Sequence, residues 1–145
     1  MRFIGRKFLP GSLLMLISCG MLPNQAMEVV NDFYEYQQDG SVDFPEEMFA
    51  SLEAVSQARF ALSQRGMIYG GYVSRSRVRT NWRILFGENG KKEVVTYTCT
   101  VTGVNGKTRE TLMLERHGDS KTFLITAYMI EDISIFSEPS PTSTV

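Results

Sequence analysis

Three glycine-bearing turn signals, Glu88-Asn89-Gly90, Val104-Asn105-Gly106 and His117-Gly118-Asp119, divide the segment from Tyr69 to Ile130. Between them the chain is dense in Val, Thr, Tyr and Ile, residues that suit a pleated, half-buried surface. Asn-Gly favours a type I′ hairpin turn, in which both central residues take positive φ. The spacing predicts four antiparallel strands in a meander, at about Tyr72–Phe86, Glu93–Gly103, Thr108–Arg116 and Lys121–Ile130. A straight first strand would run about 50 Å at ~3.3 Å per residue, too long for a small domain. It must bend or break, and Gly70-Gly71 and Thr80-Asn81 are the predicted places.

Helices precede the strands. Met27, Val30, Phe33 or Tyr34, and Gln37 recur at helical spacing, so Ala26 to Gln38 reads as a first helix, ended by Asp39-Gly40-Ser41. Pro45 suits a first helical turn, and Glu46 and Glu47 sit well at the positive end of a helix dipole. A second helical region is predicted from Pro45 to Arg65, with Met48, Leu52, Val55, Arg59 and Leu62 as its stripe. Gly66 is the predicted cap, and Ser51 or Ser56 a place where the region divides in two. Helices followed by a meander give an α+β fold: N-terminal helices packed on a strongly bent antiparallel sheet of about four strands, in one domain over 26–132. The segment 133–145, with Pro139 and Pro141 among Ser and Thr, is predicted to be a flexible tail.

Four stretches stand out: Ser56-Gln57 with Phe60, Leu62, Arg65 and Gly66; Gly71-Tyr72-Val73-Ser74-Arg75; Glu110-Thr111-Leu112-Met113-Leu114; and Phe123 to Ile130. Together they resemble small bacterial envelope proteins of the nuclear-transport-factor-2-like fold, a cone formed by a bent sheet around helices. The chain departs from the family at Phe123, where tryptophan is usual, and at Ala127, where glycine is usual. The resemblance implies a cone that can host an enzyme, a ligand pocket or an interaction surface, so function must be argued from a site.

The N-terminus carries a different message. Arg2, Arg6 and Lys7 precede a short apolar run from Phe8 to Ile17, with no acid among them. Pro10, Gly11, Gly20, Pro23, Asn24 and Gln25 interrupt the apolar window, whereas a membrane-spanning helix needs about 20 mostly apolar residues. Cleavage by the general signal peptidase would want small residues at two positions before the cut; Ala26 supplies one and Asn24 is a poor second. Leu16-Ile17-Ser18-Cys19 resembles the lipobox of bacterial lipoproteins. The resemblance implies a signal peptide over 1–18, a palmitate-type acyl chain on Cys19, and a lipidated tether over 19–25. Gly20 after the cysteine implies, by analogy with lipoprotein sorting, the outer membrane facing the periplasm.

Without the three leader cations, 12 basic residues face 16 acidic ones, a formal net charge of −4. That balance argues against nucleic-acid binding. A thioether at Cys19 would leave Cys99 as a lone thiol, in phase with Val95, Tyr97 and Val101 and read as a small buried hydrophobe. His117 is the only histidine and falls in a turn, and no metal-ligand cluster or cofactor motif is visible, so neither metal nor cofactor is expected.

Charge is segregated along the chain. Eight acids and no base lie between Glu28 and Glu53, and six arginines and no acid between Arg59 and Arg83. Arg75, Arg77 and Arg79 alternate along one predicted strand and should share a face. They are candidates for binding an anion, against the alternatives of a solvated face or pairing with the acidic first helix. Asp32, Asp39, Tyr34, Tyr69 and Tyr97 could be drawn into an isomerase- or dehydratase-like scheme inside a cone, but none lies in a catalytic motif, and no catalytic residue is assigned. Trp82 reads as core, as do Tyr97 and Tyr128. The sequence thus favours a membrane-anchored, non-enzymatic module for an envelope partner protein or a small apolar ligand. Such a module should expose an apolar patch on its sheet, whereas an enzyme needs an open cone with a buried, available carboxylate.

Overall fold

A computed structural model describes residues 16–19, 22–38 and 43–133. The elements are β1 (Leu16–Cys19), α1 (Asn24–Gln38), a 3-10 turn (Glu46–Met48), α2 (Leu52–Tyr69), β2 (Tyr72–Gly87), β3 (Gly90–Gly103), β4 (Gly106–His117) and β5 (Leu124–Asp132). Two helices pack against four long antiparallel strands, so the fold is α+β. The sheet runs in sequence order β1-β2-β3-β4-β5, and the short β1 lies antiparallel on the outer edge of β2. The predicted lipobox is therefore an edge strand in this structure.

The helix boundaries differ from expectation in instructive ways. α1 begins at Asn24, with the amides of Ala26 and Met27 both reaching the Pro23 carbonyl, so Asn24 and Gln25 belong to the helix rather than to a tether. Its inward face is Ala26, Val30, Phe33, Tyr34 and Gln37. The second helical region divides at Ser51, whose hydroxyl accepts from the Ala54 amide at 3.1 Å as an N-cap. Gly66 does not end α2. The helix runs on to Tyr69 and stops at Gly70, which takes φ 74°, a left-handed conformation open to glycine at no steric cost. Its buried face is Ala54, Val55, Ala58, Leu62, Arg65 and Tyr69; Leu52 points outward, so the predicted stripe was rotated.

The hairpin turns also differ. Among the described residues no non-glycine has positive φ, which excludes type I′ at both Asn-Gly sites. Instead Glu88-Asn89 forms the two-residue loop between paired Gly87 and Gly90, and Gly90 carries the positive φ of 92°, the pattern of a type I turn closed by a glycine bulge. β2 does not break at Thr80-Asn81. Its pairing with β3 shifts between Tyr72 and Ser74 and again between Arg77 and Arg79, so single extra residues, Val73 and Val78, interrupt the long strand.

The core lies between the helices and the inner sheet face, where Phe33, Val55, Leu62, Val95, Leu112 and Ile125 are all buried. Each such side chain contributes roughly 1.5–3 kcal/mol of apolar burial. The 3-10 segment is tied in at its end, where the Ala50 amide donates to the Ile125 carbonyl at 2.9 Å. The predicted tail lies outside the described residues from 134 onward.

Candidate functional site

β4 alternates Thr108, Glu110, Leu112 and Leu114 on one face, and all four are buried. Glu110 is thereby carried into the core, with no exposed surface. An unpaired carboxylate there would be very costly, and five hydrogen bonds meet it. Arg65, 7 % exposed on α2, donates from Nη1 to Oε1 at 2.8 Å and to Oε2 at 2.7 Å. Thr108 donates to Oε2 at 2.8 Å. Tyr34 donates to Oε1 at 3.3 Å, and Tyr128 closes a short bond on the same oxygen.

The cluster extends outward through its donors. Arg65 Nη2 donates to Gln37 Oε1 at 2.6 Å, and Gln37 Nε2 donates to the Phe33 carbonyl at 3.1 Å. The Cys99 thiol donates to the Tyr34 hydroxyl at 3.2 Å. Burial, reinforced by the Glu110 charge, pushes the Tyr34 and Tyr128 hydroxyls well above the ordinary tyrosine range, so both stay neutral donors. Burial also lifts the Cys99 thiol to about 11, which keeps it protonated and unreactive.

A carboxylate offers about four lone-pair positions, and here four donors, Arg65, Thr108, Tyr34 and Tyr128, occupy them through five hydrogen bonds. Glu110 has no position left from which to take a substrate proton. Chemically the cluster is a charge-neutral clamp joining α1, α2, β4 and β5. The scheme drawn from sequence shares only Tyr34 with it. Asp32 is exposed, Asp39 lies outside the described residues, Tyr69 sits at the end of α2, and the Tyr97 ring is buried with its centroid 6.4 Å from that of Tyr34. Sequence reasoning missed Arg65 and Glu110 as partners. A signal existed: Glu110 is in phase with Leu112 and Leu114, and Arg65 follows Val55, Ala58 and Leu62 at helical spacing.

A second inward carboxylate, Glu93 on β3, is 2 % exposed. Arg116 Nε donates to its Oε2 at 2.6 Å, while the Arg116 guanidinium lies 4.3 Å from the centre of the Phe123 ring. The Arg116 hydrogen bond holds the Glu93 carboxyl below its ordinary value, against the opposing effect of burial.

The arginine row is divided by the Val78 bulge. Arg75 pairs with Val101 and Arg77 with Cys99, both inward residues, whereas Arg79 pairs with Thr98 on the other face. The three arginines do not share a face, because one inserted residue inverts the alternation. Arg75 is engaged already: its guanidinium lies 4.5 Å from the centre of the Tyr34 ring and donates to Asn31 Oδ1 at 3.0 Å. It therefore docks on the first helix through a ring and an amide, not through that helix's acids. Arg77 and Arg79 are exposed. Trp82 is half-buried against the core, and His117 is exposed at the end of β4. Cys19 stands in β1 opposite Asn81.

Among the described residues no group of three or more His, Cys, Asp or Glu could hold a metal ion, and no helix is long and apolar enough to cross a membrane. Exposed apolar side chains stand on α2, where Leu52, Phe60, Met67 and Ile68 are 70, 67, 74 and 59 % exposed, and also at Tyr36, Val73, Val78, Phe86, Val104 and Met129. No protein-family model, curated protein or solved structure matches this chain.

Proposed function

We propose that this chain is a bacterial envelope lipoprotein, held by an acyl chain on Cys19 at the outer membrane facing the periplasm. Its nuclear-transport-factor-2-like domain is a non-enzymatic module that binds a partner protein. The observation that carries this reading is the outer stripe of α2. Leu52, Phe60 and Met67 recur at intervals of eight and seven residues, which places them along one side of the helix, opposite the side that enters the core. Ser56 and Ser63 lie between them on that side, so they form a row of separate apolar anchors rather than one continuous patch. Exposed apolar residues stand on the sheet as well, at Val73, Val78, Phe86 and Met129. The cone-enzyme reading loses support because Glu110, the carboxylate best placed to act as a base, has every acceptor position filled within the scaffold.

Two measurements test this. A photo-crosslinking residue at Phe60 in intact cells should give a discrete adduct, absent when the same residue stands at exposed Lys121 and lost on Leu52→Ser with Met67→Ser. Equal adducts from both positions would count against a binding face on α2. Intact mass of the membrane-fraction protein should show a chain starting at Cys19 with added acyl mass, and none in Cys19→Ala; a mass matching cleavage after Ala26 rejects the anchor.

A further inference from the structure

The outer edge of β2 has two unlike parts. From Tyr72 to Arg79 it carries two bulges together with Arg75, Arg77 and Arg79, the devices by which edges are kept from pairing. From Asn81 to Phe86 the register with β3 is unbroken and the residues run Asn-Trp-Arg-Ile-Leu-Phe, a regular, β-prone edge that bears no such protection apart from Arg83. This is the part that accepts a strand. β1 pairs Leu16 with Ile84, Ile17 with Arg83, Ser18 with Trp82 and Cys19 with Asn81. The lipobox cut, between Ser18 and Cys19, falls inside β1. Three of its four paired residues leave with the signal peptide, and a single residue cannot hold a ladder.

We propose that the last residues of the leader are a removable cover for the β2 edge. Their departure opens Asn81–Ile84 to an added antiparallel strand from an acidic segment of a partner protein. The opening step rests on the lipoprotein reading; the edge site itself rests on the pairing geometry. Strand addition takes its affinity from main-chain hydrogen bonds and its selectivity from side chains. Selectivity here is set by charge. Arg77 and Arg79 are exposed, Arg83 is half-buried, and none makes a salt bridge among the described residues. Asn81 Oδ1 on the same edge is buried and accepts no hydrogen bond among the described residues. A second copy is the poorer occupant, because it would bring its own Arg79 and Arg83 to an edge that already carries them, and like charges across a ladder repel.

The test compares the processed wild-type protein with full-length Cys19→Ala, both extracted from membranes in the same detergent, by hydrogen exchange of the segment 81–84. The probes are alternating Glu-Val and Lys-Val hexapeptides. In the processed protein the segment should exchange faster than in Cys19→Ala, and the Glu-Val peptide should restore protection at least tenfold more tightly than the Lys-Val peptide. In Cys19→Ala the peptide should add nothing. Arg79→Glu with Arg83→Glu should reverse the peptide preference without altering exchange elsewhere in the sheet. Equal exchange in the two proteins overturns the cover, and equal protection by both peptides overturns the acidic partner. Protection that rises with protein concentration and no peptide assigns the edge to a second copy and overturns it too. Intact mass of the same samples reads processing separately. A chain beginning at Cys19 whose edge binds nothing refutes the edge site and leaves the anchor standing. A retained leader over an edge that binds peptide refutes the opening step alone.

Discussion

Glu110 on β4 and Glu93 on β3 each turn a carboxylate toward the interior, and each meets an arginine, but the arginines come from different distances along the chain. Arg65 lies 45 residues from Glu110 and on a helix; Arg116 lies 23 residues from Glu93, directly across the β3–β4 ladder. The first pair joins a helix to the sheet, and Tyr34, Thr108 and Tyr128 add ties from α1, β4 and β5. The second joins neighbours that the ladder already holds together. The same two side-chain types therefore set how the layers dock in one place and support one strand pair in the other.

The sharpest way to break this comparison is to remove the arginines one at a time. Arg65→Met leaves Glu110 buried without its counter-charge and should cost about 3–5 kcal/mol of stability, read as a lower urea midpoint. Adding Glu110→Leu should restore much of that loss, since a well-packed apolar pair can replace a buried ion pair. A double variant no better than Arg65→Met would mean the clamp contributes more than charge balance. Arg116→Met should cost less, about 1.5–3 kcal/mol for a charge-assisted hydrogen bond, because Lys91 remains near Glu93 at 3.9 Å.

Acidity sharpens the comparison at Glu93. The folded carboxyl is held below its ordinary 4.5, so its contribution is full above that pH and is lost as pH falls through the lowered folded value. The stability difference between wild type and Glu93→Gln should be constant from about pH 6 to 8 and shrink in the acid range, as followed by thermal melts. A difference that grows on acidification would reverse the assigned sign. Tyr34→Phe removes one long hydrogen bond to the Glu110 carboxylate, 3.3 Å, and the acceptor for Cys99, and should cost about 0.5–1.5 kcal/mol in the same melts. Smallest of all, Cys99 should not react with a thiol reagent at pH 8 in the native protein, its thiol being lifted to about 11. Labelling should track unfolding instead, and rapid native labelling would show that the clamp region opens.

The meander and both helices were legible because their signals are local: alternation along β3 and β4, the 3.6-residue repeat of α1, and turn residues between strands. What escaped had causes outside the local pattern. The Val78 bulge has no sequence mark, yet it places Arg79 on the opposite face from Arg75 and Arg77. Gly66 and Gly70 are equally good caps on paper, and the hydrogen bonds around Gly70 decide between them. The phase of Glu110 with Leu112 and Leu114 marks it as inward, but its partner Arg65 on α2 is visible only once the helix is laid on the sheet.

The end of α2 shows what that packing implies for altering this protein. The Val104 amide donates to the Gly71 carbonyl at 3.1 Å and the Asn105 amide to the Tyr69 carbonyl at 2.8 Å. A side chain at Gly103 would come within 2.7 Å of that same Tyr69 oxygen. The helix terminus and the β3–β4 hairpin are thus one piece of architecture, with no slack between them. The β2–β3 hairpin is the opposite case, as both Gly87 and Gly90 have open space where a Cβ would stand. An epitope tag or fluorescent reporter should be tolerated at Glu88-Asn89, while the same insert at Val104-Asn105 should pry the helix from the sheet.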